Sequence, residues 1–240
     1  METFANEHGF PVIQGVISAV RENAAMLSEI DGAIGDGDHG INMSKGFGMA
    51  AERLTGSPCS LSEGLSVIGN ILLTEIGGAM GPLYGTFFRS MARESRGVAD
   101  IDAPLFESML QKAEDGIVSM GNAKVGDKTM LDTLSPAREA FRTSRRDGLG
   151  FAESLSVMMK AAEEGKDSTR GLVARLGRSS RLGERSRGIL DAGAVSCWLI
   201  LTAMGQSMID LSCRYRHPRA PCSRRRPLKC HLRRGVPCLR

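Results

Sequence analysis

Apolar side chains recur at intervals of three and four residues along nearly the whole of residues 1–212. This is the spacing of one face of an α-helix, and the sustained alternation typical of half-buried strands is lacking. The first stripe predicts a helix from about Pro11 to Ile30, with Gly32 after its end. The pattern predicts an all-α fold of roughly eight helices, packed antiparallel because most connections are short. Further stripes begin near Met43, Leu61, Leu105, Met130, Phe151 and Ala194.

Two different compositions meet near Ser212. Residues 213–240 contain ten Lys and Arg residues and no Asp or Glu, together with four of the six cysteines and four of the nine prolines. Residues 1–212 consequently carry a net charge of −6. We therefore predict one domain over residues 1–212 and a separate basic tail over residues 213–240.

The tail has no apolar periodicity, and its prolines would interrupt a helix. This composition predicts a disordered extension, or a stretch read in a shifted frame. The spacing of its cysteines matches no zinc site. A basic arm for nucleic acid or another anionic surface is the alternative, and of the two we favour the disordered extension.

The domain has the features of a soluble cytoplasmic protein. Charges or glycines are expected to interrupt every apolar stretch before the roughly 18 residues that a membrane-spanning helix needs. The N-terminus carries Glu2 and Glu7 and lacks the basic residues of a secretory signal. Cys59 and Cys197 are too few for a disulfide framework, which is consistent with a reducing compartment. We therefore predict no membrane span and a cytoplasmic location.

Glycines collect in three segments of the domain, residues 31–40, 77–85 and 177–193. Glycine-rich connections between helices allow backbone amides to approach a ligand, and they leave the start of the next helix open to an anion. Three such connections at one end of a helical bundle would form a phosphate site. The sequence therefore predicts loops at these three places.

The first of these segments, DGAIGDGDHG from Asp31 to Gly40, concentrates the chemistry. It contains a formal G-x-G-x-x-G, but a dinucleotide site needs a strand before its glycines, where a helix is predicted here. An EF-hand fails because Phe47 stands where its bidentate glutamate belongs. Three neighbouring carboxylates favour a hard cation such as Mg²⁺ with phosphate oxygens, and a solvated acidic turn is the alternative. The predicted metal ligands are Asp31, Asp36 and Asp38.

Four segments of the chain resemble, in order, the nucleotide-binding L subunit or domain of dihydroxyacetone kinases. They are DGAIGDGDHGINMSKG from Asp31, GGAMGPLYGTFF from Gly77, GDKTMLDTLSP from Gly126 and LGERSRGILDAGAVS from Leu182. The resemblance spans about residues 1–212. It implies an eight-helix antiparallel barrel with the nucleotide at one end, in agreement with the helical pattern.

The resemblance also implies roles for individual residues. Asp31, Asp36 and Asp38 match the family aspartates that bind two Mg²⁺ ions bridging the nucleotide phosphates. Arg178 matches a phosphate-contacting arginine and is the expected catalytic group, because its fork of donors suits that task. The family usually has Ser where Met80 stands, so one hydroxyl contact is expected to be lost. The other implied nucleotide contacts are His39, Gly40, Ile41, Asn42, Ala79, Met80, Gly121, Met130, Asp191, Ala192 and Gly193.

The function that the resemblance implies is the ADP- or ATP-binding subunit of a dihydroxyacetone (glycerone) kinase, a phosphotransferase acting on dihydroxyacetone or a related ketose. A separate K subunit holds the ketose, and in bacterial multi-subunit systems a phosphotransferase-type M subunit rephosphorylates ADP. A homodimer is compatible with either arrangement. A fatty-acid-kinase-like subunit, a nucleotide-sensing regulator and a nucleic-acid binder acting through the tail are the alternative hypotheses. Phosphoryl transfer suits the acidic segment because it needs positioning and charge neutralisation more than covalent help.

Overall fold

The computed structural model describes residues 2–216. Within them the chain forms nine α-helices, α1 (Phe10–Glu22), α2 (Ala24–Ile34), α3 (His39–Arg53), α4 (Leu61–Glu75), α5 (Met80–Ser95), α6 (Ala103–Gly121), α7 (Leu131–Arg146), α8 (Phe151–Ser168) and α9 (Ala192–Arg216). Two three-residue strands pair antiparallel, β1 (Thr3–Ala5) with β2 (Asp100–Asp102). Short 3-10 helices cover Asn6–His8, Thr169–Gly171 and Arg178–Ser186. The predicted all-α class is confirmed.

Eight of these helices close into a ring. α1 packs on α3, α3 packs on α4, and the succession continues helix by helix to α9, which packs back on α1. α2 packs on α3 and on α9, beside this ring. Because neighbours along the chain run up and down, α3, α5, α7 and α9 all begin at the same end of the ring.

Aromatic side chains fill the centre of the ring. Phe88 meets Phe47 edge to face with ring centroids 5.7 Å apart, and it meets Phe87 in the same way at 5.0 Å. Phe106 and Phe141 form a further pair of this kind at 5.3 Å. All five side chains are fully buried, and edge-to-face packing at these distances is favourable. The apolar stripes of the sequence therefore face one shared core.

The first apolar stripe forms two helices. The prediction of a single helix from Pro11 to Ile30 is wrong, because the chain breaks at Asn23 and resumes as α2, which continues past Gly32. The Asn23 side-chain Nδ2 donates to the carbonyl of Ala19 at 2.7 Å. Short polar side chains that bond to the backbone in this way compete with the regular helical ladder. α2 therefore begins as a separate helix at Ala24.

The second predicted glycine loop is much shorter than expected. Residues 76–79 alone connect α4 to α5, while Gly81 and Gly85 lie inside α5. A Cβ on Gly81 would lie 2.1 Å from the carbonyl oxygen of Ile76, and a Cβ on Gly85 would lie 2.9 Å from the Cβ of Leu73. These two glycines therefore allow α4 and α5 to approach closely. The third segment is also more regular than a loop, since it contains the 3-10 helix Arg178–Ser186.

The last helix, α9, is long and apolar. Its stretch Ala192–Cys213 has a mean hydropathy of 1.4 and is long enough to cross a membrane by length and composition. From the sequence we expected no apolar stretch of this length and did not identify Ala192–Cys213. In the fold, 61% of its apolar window is buried, as is typical of a core helix, and α9 packs on α1 and α8. α9 continues past Ser212 to Arg216, and residues 217–240 of the predicted tail lie outside the described residues.

Candidate functional site

A cavity of about 490 Å³ opens at the end of the ring where α3, α5, α7 and α9 begin. Its walls come from four stretches of sequence, within residues 31–42, 77–83, 117–130 and 176–193. The starts of α3, α5 and α9 and the residue preceding α7 all line it, as His39, Met80, Ala192 and Met130. The up-and-down order of the ring is what brings these separate stretches together. The three glycine-rich segments of the sequence thus meet in one place.

Three carboxylates form one side of the cavity. Asp31 lies in the last turn of α2, and Asp36 and Asp38 lie in the short connection to α3. One oxygen from each carboxylate lies within 4.8 Å of the others. The connection is tight, since Gly37 has a positive φ of 77° and a Cβ on Gly35 would lie 2.5 Å from the Asp31 Oδ1 atom. Glycines in this segment thus allow the three carboxylates to converge.

The charges of this cluster are only partly balanced. Burial raises the pKa of Asp38, and the neighbouring Asp36 and Asp31 carboxylates raise it further. Arg178, from the opposite side of the cavity, forms an ion pair with Asp36 and opposes this increase. Oxygen donors with excess negative charge are the ligand set that Mg²⁺ prefers. The donor set of Asp31, Asp36 and Asp38 therefore fits the predicted metal.

His39, at the start of α3, is held by a buried hydroxyl network. Its Nε2 atom lies 2.9 Å from the Ser196 Oγ, and the Tyr84 hydroxyl lies 2.7 Å from the same Oγ. The Tyr84 hydroxyl also donates to the carbonyl of Gly193 at 2.9 Å. Burial lowers the pKa of His39, which favours the neutral ring. The network therefore fixes the imidazole between α5 and α9 and beside the carboxylates.

Asp191 lies directly before α9 on the far wall of the cavity. It is half-buried, and burial raises its pKa to about 7. Its Oδ2 atom accepts a hydrogen bond of 2.7 Å from the backbone N–H of Ala194, as the N-cap of a helix does. The backbone N–H of Asp191 donates to the Thr169 Oγ1 at 3.1 Å. Asp191 therefore fixes the start of α9, with Ala192 and Gly193 on the cavity wall.

The cavity contains most of the predicted site residues but leaves two outside. Gly40 is buried against α2, where a Cβ would lie 1.9 Å from the carbonyl oxygen of Ala24. The Ile41 side chain is 65% exposed and does not line the cavity. The predicted residues on the cavity wall are Asp31, Asp36, Asp38, His39, Asn42, Ala79, Met80, Gly121, Met130, Arg178, Asp191, Ala192 and Gly193.

Comparison with known protein families decides the identity of this fold. The model of the DAK2 domain matches residues 33–206. The chain belongs to the DAK2 family. This DAK2 chain is 37% identical over 179 residues, 73% of its length, to the ADP-binding subunit DhaL of the PEP-dependent dihydroxyacetone kinase of Escherichia coli K12, and it covers 84% of that subunit. It is 35% identical over 201 residues to the corresponding subunit of kinase 2 of Listeria innocua, covering 92% of it.

A solved structure shares the fold of the DAK2 chain. The dihydroxyacetone kinase from C. freundii, in complex with AMP-PNP and Mg²⁺, matches 82% of the chain with a TM-score of 0.60 and 22% sequence identity. The chain spans about a third of that kinase, since the match covers 33% of it. The likeness supports the barrel architecture of the DAK2 chain.

Several cavity residues of the DAK2 chain escaped the sequence analysis. Lys128 and Thr129 line the cavity. Ser196 contacts the His39 ring, and Tyr84 contacts Ser196. All four lie inside the segments GGAMGPLYGTFF, GDKTMLDTLSP and LGERSRGILDAGAVS that carry the family resemblance. Position within those segments was therefore the available signal. Polar side chains inside these segments could have been predicted to lie at the site, even where their spacing indicated no chemistry.

Proposed function

We propose that this chain is the nucleotide-binding subunit of a dihydroxyacetone kinase. The observation that carries the proposal is the convergence of three carboxylates with the starts of helices at one cavity. The printed names of the E. coli and Listeria relatives, which are ADP-binding subunits, support it. The ligand that fits is a nucleoside di- or triphosphate, because its phosphates and a divalent cation satisfy both features together.

The phosphate groups are proposed to bind at the starts of α3 and α5. Neither N-cap residue, Asp38 or Ala79, accepts a side-chain hydrogen bond from the first turn of its helix. The His39 N–H at the start of α3 donates to the Asp31 Oδ2 at 3.3 Å, and the other N–H groups of the two first turns are available to anionic oxygens. The aligned peptide dipoles add a partial positive charge at each start. Ala79 and Met80 offer only their backbone groups at α5, as the replacement of the family serine leads us to expect.

Asp31, Asp36 and Asp38 are proposed to hold two Mg²⁺ ions against these phosphates. When bound, the ions neutralise the negative charge of the phosphate oxygens. Asn42 lies one turn into α3 on the same wall and supplies a polar side chain near the carboxylates. Arg178 lies across the cavity, where its guanidinium can donate to the transferring phosphoryl group as well as to Asp36.

The base of the nucleotide is proposed to lie against the opposite wall, beside Gly121 and Met130. This wall is more apolar, since Leu83, Ile117 and Met120 also line it. Gly121 ends α6, and a Cβ there would meet no atom within 4 Å, so the backbone leaves open space beside it. Apolar walls with few polar groups are typical of sites for flat heterocyclic ligands.

The phosphoryl acceptor is proposed to be dihydroxyacetone or a related ketose held by a separate K subunit. A phosphotransferase-type M subunit that rephosphorylates bound ADP, or exchange of ADP for ATP, completes the cycle. The carboxylate side of the cavity must then face the K subunit, because the phosphoryl group leaves from there. A second copy of the chain is compatible with this arrangement, and we place the reaction in the cytoplasm, where both phosphoryl donors are found.

The test is calorimetric titration of ADP into the full chain with Mg²⁺ and then with EDTA. We expect binding that needs Mg²⁺ and is lost in Asp36→Asn. Asp115→Asn is the matched control, because Asp115 is an exposed carboxylate that pairs with Lys112 at 4.0 Å and does not line the cavity. Absence of ADP binding by the unmodified chain would overturn the proposal. Addition of a K subunit, dihydroxyacetone and ATP then tests phosphoryl transfer itself.

A further inference from the structure

Lys128 is a buried lysine on the wall of the proposed nucleotide cavity. Its side chain is only 1% exposed, although it carries a charged group. Its Nζ atom donates to three backbone carbonyls, those of Ser186 at 2.5 Å, Ile189 at 2.6 Å and Leu172 at 3.2 Å. An ammonium group has three N–H donors, so all of them are already in use. Lys128 therefore has no donor left for a phosphate.

The three carbonyls bracket one segment of chain. We name residues 173–188 the arginine arm, because it carries Arg178 and four other arginines, Arg175, Arg181, Arg185 and Arg187. Leu172 precedes the arm, and Ser186 and Ile189 lie at its other end. Within the arm only Ala174 and Ser186 are buried. Apolar burial consequently contributes little to its position.

Hydrogen bonds at the base of the arm, where its two ends meet, hold it in position instead of buried apolar surface. The N–H of Ala174 donates to the Ser186 Oγ at 2.9 Å, and the N–H of Gly188 donates to the Arg170 carbonyl at 2.8 Å. Lys128 adds its three bonds at the same base and ties it to the start of α7. The base is thus closed by polar contacts around one ammonium group.

The direction of the Lys128 side chain is itself fixed. Lys128 has a positive φ of 63°, a backbone conformation that L-residues rarely adopt. The loop is held by the buried Asp132, whose Oδ1 accepts from the Gly126 N–H at 2.5 Å and whose Oδ2 accepts from the Thr129 N–H at 2.7 Å. A strained conformation that the surroundings maintain is typical of a positioning element at a functional site.

We propose that Lys128 is a positioning residue for phosphoryl transfer, which holds the base of the arginine arm closed so that Arg178 reaches the acidic side of the cavity. This inference rests on the proposed nucleotide-binding function. Lys128 acts through the arm and does not touch the nucleotide. Displacement of Arg178 by about 1 Å is enough to lower a rate on the order of a hundredfold.

The variant that tests this is Lys128→Met, which keeps an unbranched side chain as far as the Cε atom and removes the donors. We expect ADP affinity in Mg²⁺ to fall about tenfold and trypsin to cleave at the arm arginines at least about tenfold faster, as mapped by mass spectrometry. Lys160→Met is the control, because Lys160 is an exposed helical lysine that pairs with Glu164 at 3.7 Å. Unchanged cleavage of the arm in Lys128→Met would overturn the proposal.

A double-mutant cycle with Arg178→Gln separates positioning from general loss of stability. If Lys128 acts through Arg178, Lys128→Met in the Arg178→Gln background lowers ADP affinity by less than about twofold, whereas independent effects would multiply and overturn the proposal. If Lys128→Met fails to fold, Lys128→Gln, which keeps a polar side chain but lacks the ammonium group with its three donors, replaces it, and wild-type cleavage of the arm in that variant would equally overturn the proposal. Failure of the unmodified chain to bind ADP would instead count against the proposed function.

Discussion

Arg178 forms an ion pair with Asp36 across the mouth of the cavity. The guanidinium and a metal ion are therefore alternative partners for the same carboxylate. Arg178 is 64% exposed and lies on an arm with little buried surface, so its pairing with Asp36 is easily exchanged. A metal bound at Asp36 would leave Arg178 to a phosphate oxygen.

Replacement of Arg178 by Gln is expected to lower phosphoryl transfer by on the order of 10²–10³-fold, because a preorganised donor to the transferring group is lost. The free energy of unfolding should change by less than about 1 kcal/mol, since exposed ion pairs contribute little. Steady-state kinetics with the K subunit and urea unfolding measure the two quantities. Arg181→Gln, on the same arm but not on the cavity wall, is the control and should leave the rate unchanged. Equal losses in both variants would contradict a specific role for Arg178.

Asp38→Asn is expected to have opposite effects on stability and on ligand binding. The raised pKa of Asp38 indicates that its charge is unfavourable in the fold, so removing it should stabilise the metal-free chain by roughly 0.2–0.5 kcal/mol. Mg²⁺-dependent ADP binding should be lost, because a predicted metal ligand is removed. Thermal unfolding with EDTA and calorimetry with Mg²⁺ test the two effects separately. A variant less stable than the parent in EDTA would show that the carboxylate has a structural role.

Asp191 should make the stability of the chain depend on pH. Its pKa is raised in the fold to about 7 from an ordinary value of 3.8, so the folded state retains the proton longer than the unfolded state. The resulting stabilisation is complete below the ordinary pKa and is lost as pH rises through 7, with a total of up to roughly 4 kcal/mol. Asp191→Asn can still accept from the Ala194 N–H as a helix cap, and it should flatten this dependence. Urea unfolding of both proteins between pH 5 and 8, in EDTA, measures it, and parallel profiles would refute the assignment.

Gly40→Ala should damage the site through packing. Its Cβ would lie 1.9 Å from the carbonyl oxygen of Ala24, so α2 and α3 must separate, at a cost of about 1–3 kcal/mol. Asp31 and His39 lie on these two helices, and ADP affinity should fall with stability. Gly48→Ala in the same helix is the matched control. Nothing lies within 4 Å of its Cβ, so it should gain about 0.5–1 kcal/mol from the higher helix propensity of alanine.

Ser196→Ala should release His39 with only a modest loss of stability. The Tyr84 hydroxyl keeps its bond to the Gly193 carbonyl in this variant, so the loss should be about 1 kcal/mol. ADP affinity should fall several-fold because the imidazole is no longer oriented. Tyr84→Phe provides the comparison, since it leaves the bond of 2.9 Å between Ser196 and His39 intact. A larger effect on ADP binding in Tyr84→Phe than in Ser196→Ala would contradict this role for Ser196.

Much of the fold was predictable because each helix buries one regular apolar stripe. Periodicity predicts which residues share a face, and it does not reveal a local backbone competitor, so the break at Asn23 was missed. The same limit applies to Gly81 and Gly85. Their freedom from a side chain serves close packing of two helices here, whereas glycine in a sequence is equally typical of a loop.

The site was predictable where charge is concentrated in one short segment. Asp31, Asp36 and Asp38 could be found from spacing alone, because three neighbouring carboxylates need an explanation. Lys128 could not be found in this way, since its role depends on carbonyls that lie 44 to 61 positions away along the chain. Contacts of that kind exist only once the ring has closed.

The closure of the ring by α9 has a consequence for protein synthesis. α9 contacts α1, the first helix of the chain, and its opening residues complete the cavity wall. A nascent chain whose α9 is still inside the ribosome therefore lacks both the helix that closes the barrel and one wall of the cavity. Nucleotide cannot stabilise such an intermediate by binding it, so any protection that nucleotide gives against degradation is confined to molecules that have finished folding.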